Sequence, residues 1–553
     1  MSHPTGFFSS WRALLPARSD YGRIGRSWRP DVVAGLTVGI VALPLALAFG
    51  VSSGAGAESG LITAIVAGLI AAVFGGSNLQ VSGPTGAMVV VLGPVVAEHG
   101  AEVIPLLSLM AGVIVVLAGL LRLGRTVSYI PWPVIEGFTL GIAVIIFLQQ
   151  VPGALGSSPG PSANALVAAV QSVSGANWAG ALWALGAVLV VAAIMLFSPR
   201  LHPQLPGSLI GIIVVTVLAL LLNSPLERIG VLPSSLPAPS LPGASPELLL
   251  SLIAPALTIA ALAAIESLLS ARVAASLSPF GGYQADRELF GQGLASIGSG
   301  LFGGMPATGA IARTAVNIRA GAQTRASAIV HAVVLLLVVL FASNVVGTIP
   351  LAALAGVLMV TAFRMISVAT VRAVTGANRS AALVFALTAI ITVSFDLIVA
   401  VLIGIAVAAV FALRSLAASG GVHRDPLPGP AVPGDEKIAL FRFEGALFFG
   451  TAERTLDAVT GVTDAAVVIL RMSQVQLLDA TGAHATVEII QALERRGITV
   501  LLKGIQPNHL RLATRVGVLA ELRDQHHLFD DLEQAVAHAR DHVRRAPGSS
   551  ARE

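Results

Sequence analysis

The sequence predicts an all-α polytopic membrane domain of fourteen segments, built as two inverted repeats of seven, followed by a small cytoplasmic α/β domain. Three observations predict it. Charge is partitioned: 55% of the 553 residues are hydrophobic and 11% charged, and residues 31–414 hold 24 Asp, Glu, Lys and Arg in 384 positions while 415–553 hold 32 in 139. A soluble domain carries roughly one quarter charged residues. Uncharged runs cover 32–57, 59–97, 103–121, 137–199, 326–363 and 397–413, and several exceed the roughly 20 residues that take a helix across about 30 Å of hydrocarbon. The first region also echoes itself. Phe74-Gly75-Gly76 precedes Thr85-Gly86-Ala87, and Phe302-Gly303-Gly304 precedes Thr308-Gly309-Ala310, at offsets of 228 and 223, while Leu36-Thr37 lies 221 residues before Leu257-Thr258.

In chain order, residues 1–30 form a basic arm with Arg12, Arg18, Arg23, Arg26 and Arg29. It lacks a short apolar core with a small-residue cleavage site, so it is expected to remain on the cytoplasmic side rather than be removed as a signal. Residues 31–415 form the membrane domain, with repeats at about 31–225 and 247–415. The stretches 151–177 and 223–247, rich in Gly, Pro and Ser, read as loops. A repeat with an odd number of crossings enters from opposite sides in its two copies, which is the inverted plan of secondary transporters.

The echoed segments, Ser82-Gly83-Pro84-Thr85-Gly86-Ala87 and Gly303 through Ala310, are the most interrupted, and each reads as extended chain followed by a half-length helix. Irregular backbone at membrane depth is tolerated around a cavity or a ligand. Helix starts carry roughly +0.5 charge, so two of them converging near the midplane would hold an anion. The candidate binding residues are Thr85, Gly86, Ala87, Thr308, Gly309 and Ala310; helix packing by small residues is the alternative for Gly86 and Gly309.

Two ionisable residues stand out. Glu266 lies deep in an apolar span, where a carboxylate costs at least about 2.5 kcal/mol on insertion scales and needs a partner, a cavity or a proton. It is the candidate coupling-ion site, with a structural salt bridge as the alternative. Arg313, one turn beyond Thr308-Gly309-Ala310, either extends the anion site, pairs with Glu266, or snorkels to the interface. Arg319 and Arg325 read as orientation charges, Glu136 and Asp396 as structural acids at helix starts, and His331 as a packing residue.

Residues 416–435 read as a linker, 436–545 as the α/β domain and 546–553 as a disordered tail. Within the domain, strands are expected at 437–443, 466–470 and 498–502 and helices at 483–495 and 530–539. No Walker-type glycine motif suggests nucleotide-driven pumping. The net charge of +4 comes without a basic stripe interleaved with aromatics, so no nucleic-acid partner is expected, and zero cysteines excludes thiol catalysis and Cys-ligated metals. No cofactor, resident metal or enzymatic activity is expected.

The chain resembles the SulP sulfate permease and anion transporter family. The likeness rests on Asp31 through Gly39 with Leu43-Pro44, on Ser82-Gly83-Pro84-Thr85, on Gly303 through Arg313-Thr314-Ala315-Val316-Asn317 to Gly321-Ala322-Gln323-Thr324, and on a tail similar to a STAS domain through Leu478-Asp479-Ala480-Thr481-Gly482. The resemblance implies a bacterial inner-membrane transporter with core and gate domains, an anion bound at the starts of the third and tenth segments, Arg313 as an anion-site arginine and Glu266 as the eighth-segment acid. It also implies proton or sodium coupling, homodimerisation, and a STAS domain that binds cytoplasmic partners and carries a modifiable residue at Thr481, where helix capping is the alternative. Many relatives follow the first-segment proline with glutamine, whereas Pro44 is followed by Leu45. A ligand-facing amide is thus missing, and the expected anion moves from sulfate toward a dicarboxylate such as fumarate or succinate, with a sulfate or bicarbonate transporter, or an anion exchanger or channel, as the alternative.

Overall fold

A computed structural model describes residues 14–125, 130–158, 160, 162, 164–202, 205–395 and 397–545. Arg12, Asp396 and the expected disordered tail lie outside them. The chain divides into two compact units, Met1–Ile405 and Ala406–Glu553.

Every one of the fourteen expected segments contains a helix. The first seven are α1 (Ile24–Ser52), α2 (Gly56–Phe74), α3 (Gly86–His99), α4 (Ile104–Leu120), α5 (Trp132–Gln149), α6 (Trp178–Leu201) and α7 (Gly207–Leu221). The second seven are α8 (Pro246–Leu277), α9 (Ala285–Leu301), α10 (Ile311–Arg319), α11 (Ala326–Val346), α12 (Leu351–Met365), α13 (Arg379–Ser394) and α14 (Leu397–Ser419). Among the described residues, nine helices are long and apolar enough to cross a membrane, and α3, α7 and α13 are shorter apolar ones. The two polar members, α9 and α10, carry Asp286, Arg287, Glu288, Arg313 and Arg319. The stretch 151–177 is not all loop: Ala165–Ser174 is helical, started by Asn164, whose Oδ1 accepts from Leu166 N at 3.0 Å and Val167 N at 3.3 Å. Its ten residues are too few to have announced themselves as a span.

Packing repeats at an interval of seven segments. The α1–α11 contact has its counterpart in α8–α4, α2–α11 in α9–α4, and α5–α13 in α12–α6. This exchange is what a two-fold relation between inverted halves produces. Helices in lipid gain no hydrophobic drive toward one another, so close van der Waals approach must hold them. At the α4–α9 crossing a Cβ on Gly112 would lie 2.8 Å from Gly293 O and from Ile297 N, and one on Gly300 would lie 2.6 Å from Pro105 O. Backbone therefore touches backbone there.

The second unit carries a five-stranded sheet in the order β3-β4-β5-β6-β7: Gly421–Asp425, Ile438–Leu447, Val467–Leu478, Thr499–Lys503 and Leu528–Phe529. β3 runs antiparallel to β4, and the remaining pairs are parallel. The helices are α15 (Ala452–Thr460), α16 (Ala480–Arg495), α17 (Pro507–Val516) and α18 (Leu532–Arg545). Phe441, Phe443, Val468, Leu470, Val500 and Leu502 face α16 and its neighbours, while Ile438, Leu440, Val467, Ile469 and Leu501 face α18. The expected linker is corrected: α14 runs to Ser419 and β3 occupies Gly421–Asp425, leaving a shorter connection. Residues 421–425 of that stretch add an edge strand to β4.

Candidate functional site

Two interruptions of the helical chain build the site. After α2 the backbone runs extended through β1 (Ser82–Gly83) to Thr85, at φ −131°, ψ 163°, and α3 starts at Gly86. After α9 it runs through β2 (Thr308–Gly309) to Ala310, at φ −94°, ψ 109°, and α10 starts at Ile311. The strands cross antiparallel, Ser82 opposite Gly309 and Gly83 opposite Thr308. Side chains satisfy the irregular backbone leading into β2. Met305 N donates to Thr63 Oγ1 at 2.7 Å, Met305 O accepts from Ser299 Oγ at 2.7 Å, and Ala307 N donates to Ser296 Oγ at 3.3 Å. Thr63 opens a π-helical turn, Thr63–Ala67, within α2.

Neither half-helix is closed by a side chain. Thr85 and Ala310 hold the cap positions without a capping bond, whereas Ser245, Asn378 and Asp479 cap α8, α13 and α16. The first helical bonds are Val89 N to Thr85 O at 3.3 Å and Thr314 N to Ala310 O at 2.9 Å. The amides of Gly86, Ala87 and Met88, and those of Ile311, Ala312 and Arg313, therefore precede the first helical donor. With the positive ends of both helix dipoles they make a candidate cradle, an arrangement suited to holding an anion.

Thr85 commits its hydroxyl elsewhere, donating to Glu266 Oε2 at 2.9 Å. Glu266 on α8 thus stands beside the start of α3. Its neighbour Ser267 accepts from Gly309 N at 3.0 Å and bonds Thr308 Oγ1 at 3.1 Å. One turn on, Ser270 Oγ lies 3.0 Å from Thr314 Oγ1, which accepts from Val81 N at 3.1 Å. α8 is stitched to both interruptions.

Arg313 does not snorkel; it is 2% exposed. Its Nη2 donates to Pro84 O at 2.6 Å, and Nη1 lies against Gly83 with no protein acceptor among the described residues. Its hydrogen bond is to the approach to α3 rather than to Glu266, whose carboxylate is still close enough for the two charges to interact. Gly86 packs on Ile146, and Phe49 lies 3.5 Å from where a Gly86 Cβ would stand. With Leu45, 9% exposed on α1, and buried Ala87, these residues form an apolar flank.

The structure shifts the Thr-Gly-Ala echo. Thr85 holds the cap position of α3, but Thr308 and Gly309 are still strand, and α10 begins at Ile311. The pairing of Ser82–Gly83 with Thr308–Gly309 makes the equivalent residues 226 apart rather than 223. Gly309 N is already bonded to Ser267 and Ala310 N to Val81 O at 2.9 Å, so these residues frame the cradle, and the open amides follow them.

Other expectations change as well. Arg325 is no orientation charge but a buried cap on α2: its Nη1 donates to Gly75 O at 2.8 Å and Val73 O at 3.2 Å, and its Nε to Asn78 Oδ1 at 3.1 Å. His331 is fully buried, and neither ring nitrogen has a protein partner among the described residues. Glu136 accepts from Trp132 Nε1 at 2.9 Å on the same helix. Thr481 is exposed at the second residue of α16, and the cap is Asp479, whose Oδ1 accepts from Gly482 N at 2.7 Å. Ser267 and Ser270 carry no signal of their own in the sequence; only Ser270, four residues on, shares the helix face of Glu266.

Comparison with known proteins agrees with this architecture. The Sulfate permease family description matches residues 28–388 and the STAS domain description residues 429–535. The putative sulfate transporter YvdB of Bacillus subtilis is 33% identical over 517 residues, spanning 91% of this chain and 96% of that protein. The bicarbonate transporter BicA of Picosynechococcus is 33% identical over 498 residues, spanning 84% and 87%. The solved transmembrane domain of a cyanobacterial BicA superposes with a TM-score of 0.60 at 32% identity, covering 69% of this chain and 97% of that one. The murine Solute Carrier 26 family member A9 anion transporter shares the fold, with a TM-score of 0.83 at 17% identity over 98% and 96% of the two chains. With its half-helices, its seven-segment exchange and matches over most of its length, the chain belongs to the sulfate permease family of membrane anion transporters and ends in a STAS domain.

Proposed function

We propose that this protein is a secondary active transporter that carries a small anion together with a proton, by alternating access, with the anion held at the starts of α3 and α10 and the proton on Glu266. The observation that carries this reading is the 2.9 Å bond between Thr85 and Glu266. An anion at the start of α3 sits close to that carboxylate. Two like charges about 5 Å apart repel by roughly 3 kcal/mol at an effective dielectric of about 20, enough to weaken binding more than a hundredfold. A cation on Glu266 removes the penalty, so anion and cation bind together; a proton is the simplest such cation and sodium the alternative.

For the anion, the flank of Leu45, Phe49 and Ile146 favours a small dicarboxylate with an apolar body, such as fumarate or succinate. The sulfate and bicarbonate transporters among the relatives favour a second reading, bicarbonate or sulfate. Homodimerisation, a cytoplasmic location for the STAS domain and its binding of soluble partners belong to the same proposal.

Proteoliposomes holding the full chain test it. Labelled fumarate, succinate, bicarbonate and sulfate are offered with and without an inward proton gradient, and with sodium. Uphill accumulation driven by the proton gradient is expected, and Glu266→Gln should retain downhill flux while losing the gradient's effect. Full pH-driven accumulation by Glu266→Gln would remove the coupling role.

A further inference from the structure

The strand crossing is braced from behind by a second membrane acid that the transport scheme leaves unused. Glu288, in the first turn of α9, is 1% exposed. Its Oε2 accepts from Ser77 N at 2.9 Å, and its Oε1 accepts from Gln80 Nε2 at 2.9 Å and from Gln292 Nε2 at 3.1 Å. Each amide then continues to one strand. Gln292 Nε2 also donates to Ser82 Oγ. Gln80 lies in the space left by the absent side chain of Gly309, where a Cβ would overlap its amide. Ser82 and Gly309 are register partners in the β1–β2 pair. One carboxylate therefore holds, through two glutamine arms, both members of the pair from which the half-helices depart.

We infer that Glu288 is a positioning residue for anion binding: through Gln80 and Gln292 it fixes the spacing of the α3 and α10 starts. The inference rests on the reading that those starts bind the anion. A shallow polar network would merely add stability, but this one meets the strands at their single crossing, where a small displacement moves both sets of amides at once. Glu288→Gln keeps the volume yet leaves one acceptor oxygen where there were two, and its amide nitrogen meets an N–H donor at either place: Gln80 Nε2 and Gln292 Nε2 at that of Oε1, Ser77 N, which anchors the approach to β1, at that of Oε2, so the bracing network loses a bond in both orientations. Adding Gln80→Glu restores an amide–carboxylate contact of reversed polarity between the same two positions.

The test is initial-rate uptake by the full chain in proteoliposomes, using whichever of labelled sulfate, bicarbonate or succinate the wild type carries. Glu288→Gln should raise KM roughly tenfold or more, the scale of losing a hydrogen bond to a charged group, with kcat changed by less than about threefold. The double variant Glu288→Gln with Gln80→Glu should recover much of that loss. If Glu288→Gln does not fold, Gln80→Leu and Gln292→Leu must each raise KM instead. A KM within about twofold of wild type, a loss confined to kcat or to melting temperature, or a raised KM that the second change leaves untouched overturns the inference. Arg313→Gln runs in parallel: if it shifts KM and Glu288→Gln does not, the positioning role alone fails, and if neither does, the reading of the helix starts fails.

Discussion

Thr85 stands at a helix cap position, yet its hydroxyl reaches Glu266 instead of an amide of α3. That choice leaves the helix start open and gives Glu266 Oε2 a partner, so one side chain links the anion cradle to the candidate coupling site. Thr85→Val, equal in shape but without the donor, should cost about 1–3 kcal/mol in this coupled unit, read as a roughly tenfold or greater weakening of uptake and a shift in its dependence on external pH. Thr85→Ser, which keeps the donor, should stay near wild type; equal behaviour of the two variants would show that the bond is not used. At this scale the sequence is partly legible. Glu266 and Arg313 are visible because charge is so scarce in residues 31–414, but scarcity names a residue and not its partner. The reach of Arg313 to Pro84 O and the role of Ser267 depend on which breaks α8 passes between, and that is a tertiary fact.

The two half-helices were legible as interruptions in glycine, proline and alanine, and so was the start of α3 at Thr85-Gly86, but the start of α10 was not. Helix α10 begins three residues after Thr308 because Thr308–Gly309 is used as strand and Gly309 N is held by Ser267. A long-range pairing thus overrode the local echo, which aligned letters rather than backbone states. The same logic concealed Arg325, whose buried position comes from the end of α2 arriving beside it. If the open amides of α10 are the ligand site, a tethered carboxylate should occupy it. Ala310→Asp supplies an N-cap acceptor where none exists, worth about 1 kcal/mol to the helix. The expected result is a melting temperature at or above wild type together with loss of anion binding, measured by ligand-induced thermal shift and by uptake. Retained binding with a higher melting temperature would exclude the α10 start as a subsite.

Across the whole chain, charge density separates two environments. The α/β unit was legible as alternating strands and helices, but β3, α15, α17 and β7 were not, because each is short or amphipathic at low hydrophobicity. Its histidines supply a pH response. His527, the residue before β7, is buried with its ring 5.4 Å from that of His538 on α18, while His542 Nε2 lies 3.3 Å from Thr499 Oγ1. Burial first, then the neighbouring His538, His542 and Arg523, holds the His527 imidazole below its ordinary value against the opposing pull of Asp524. Burial lowers His509 in the same direction. A histidine depressed in the folded state takes up its proton more readily when unfolded, so acid favours unfolding: the unit is most stable above about pH 6.5, the unperturbed histidine value, and loses stability as pH falls below it. Hydrogen exchange on the full chain in detergent should show α18 and β7 opening more readily at about pH 5.5 than at about pH 7.5, a window that brackets that unperturbed value. His527→Phe, which keeps a ring against His538 without a titrating nitrogen, should flatten the difference. An unchanged pH response in that variant would move the origin of the effect to another group.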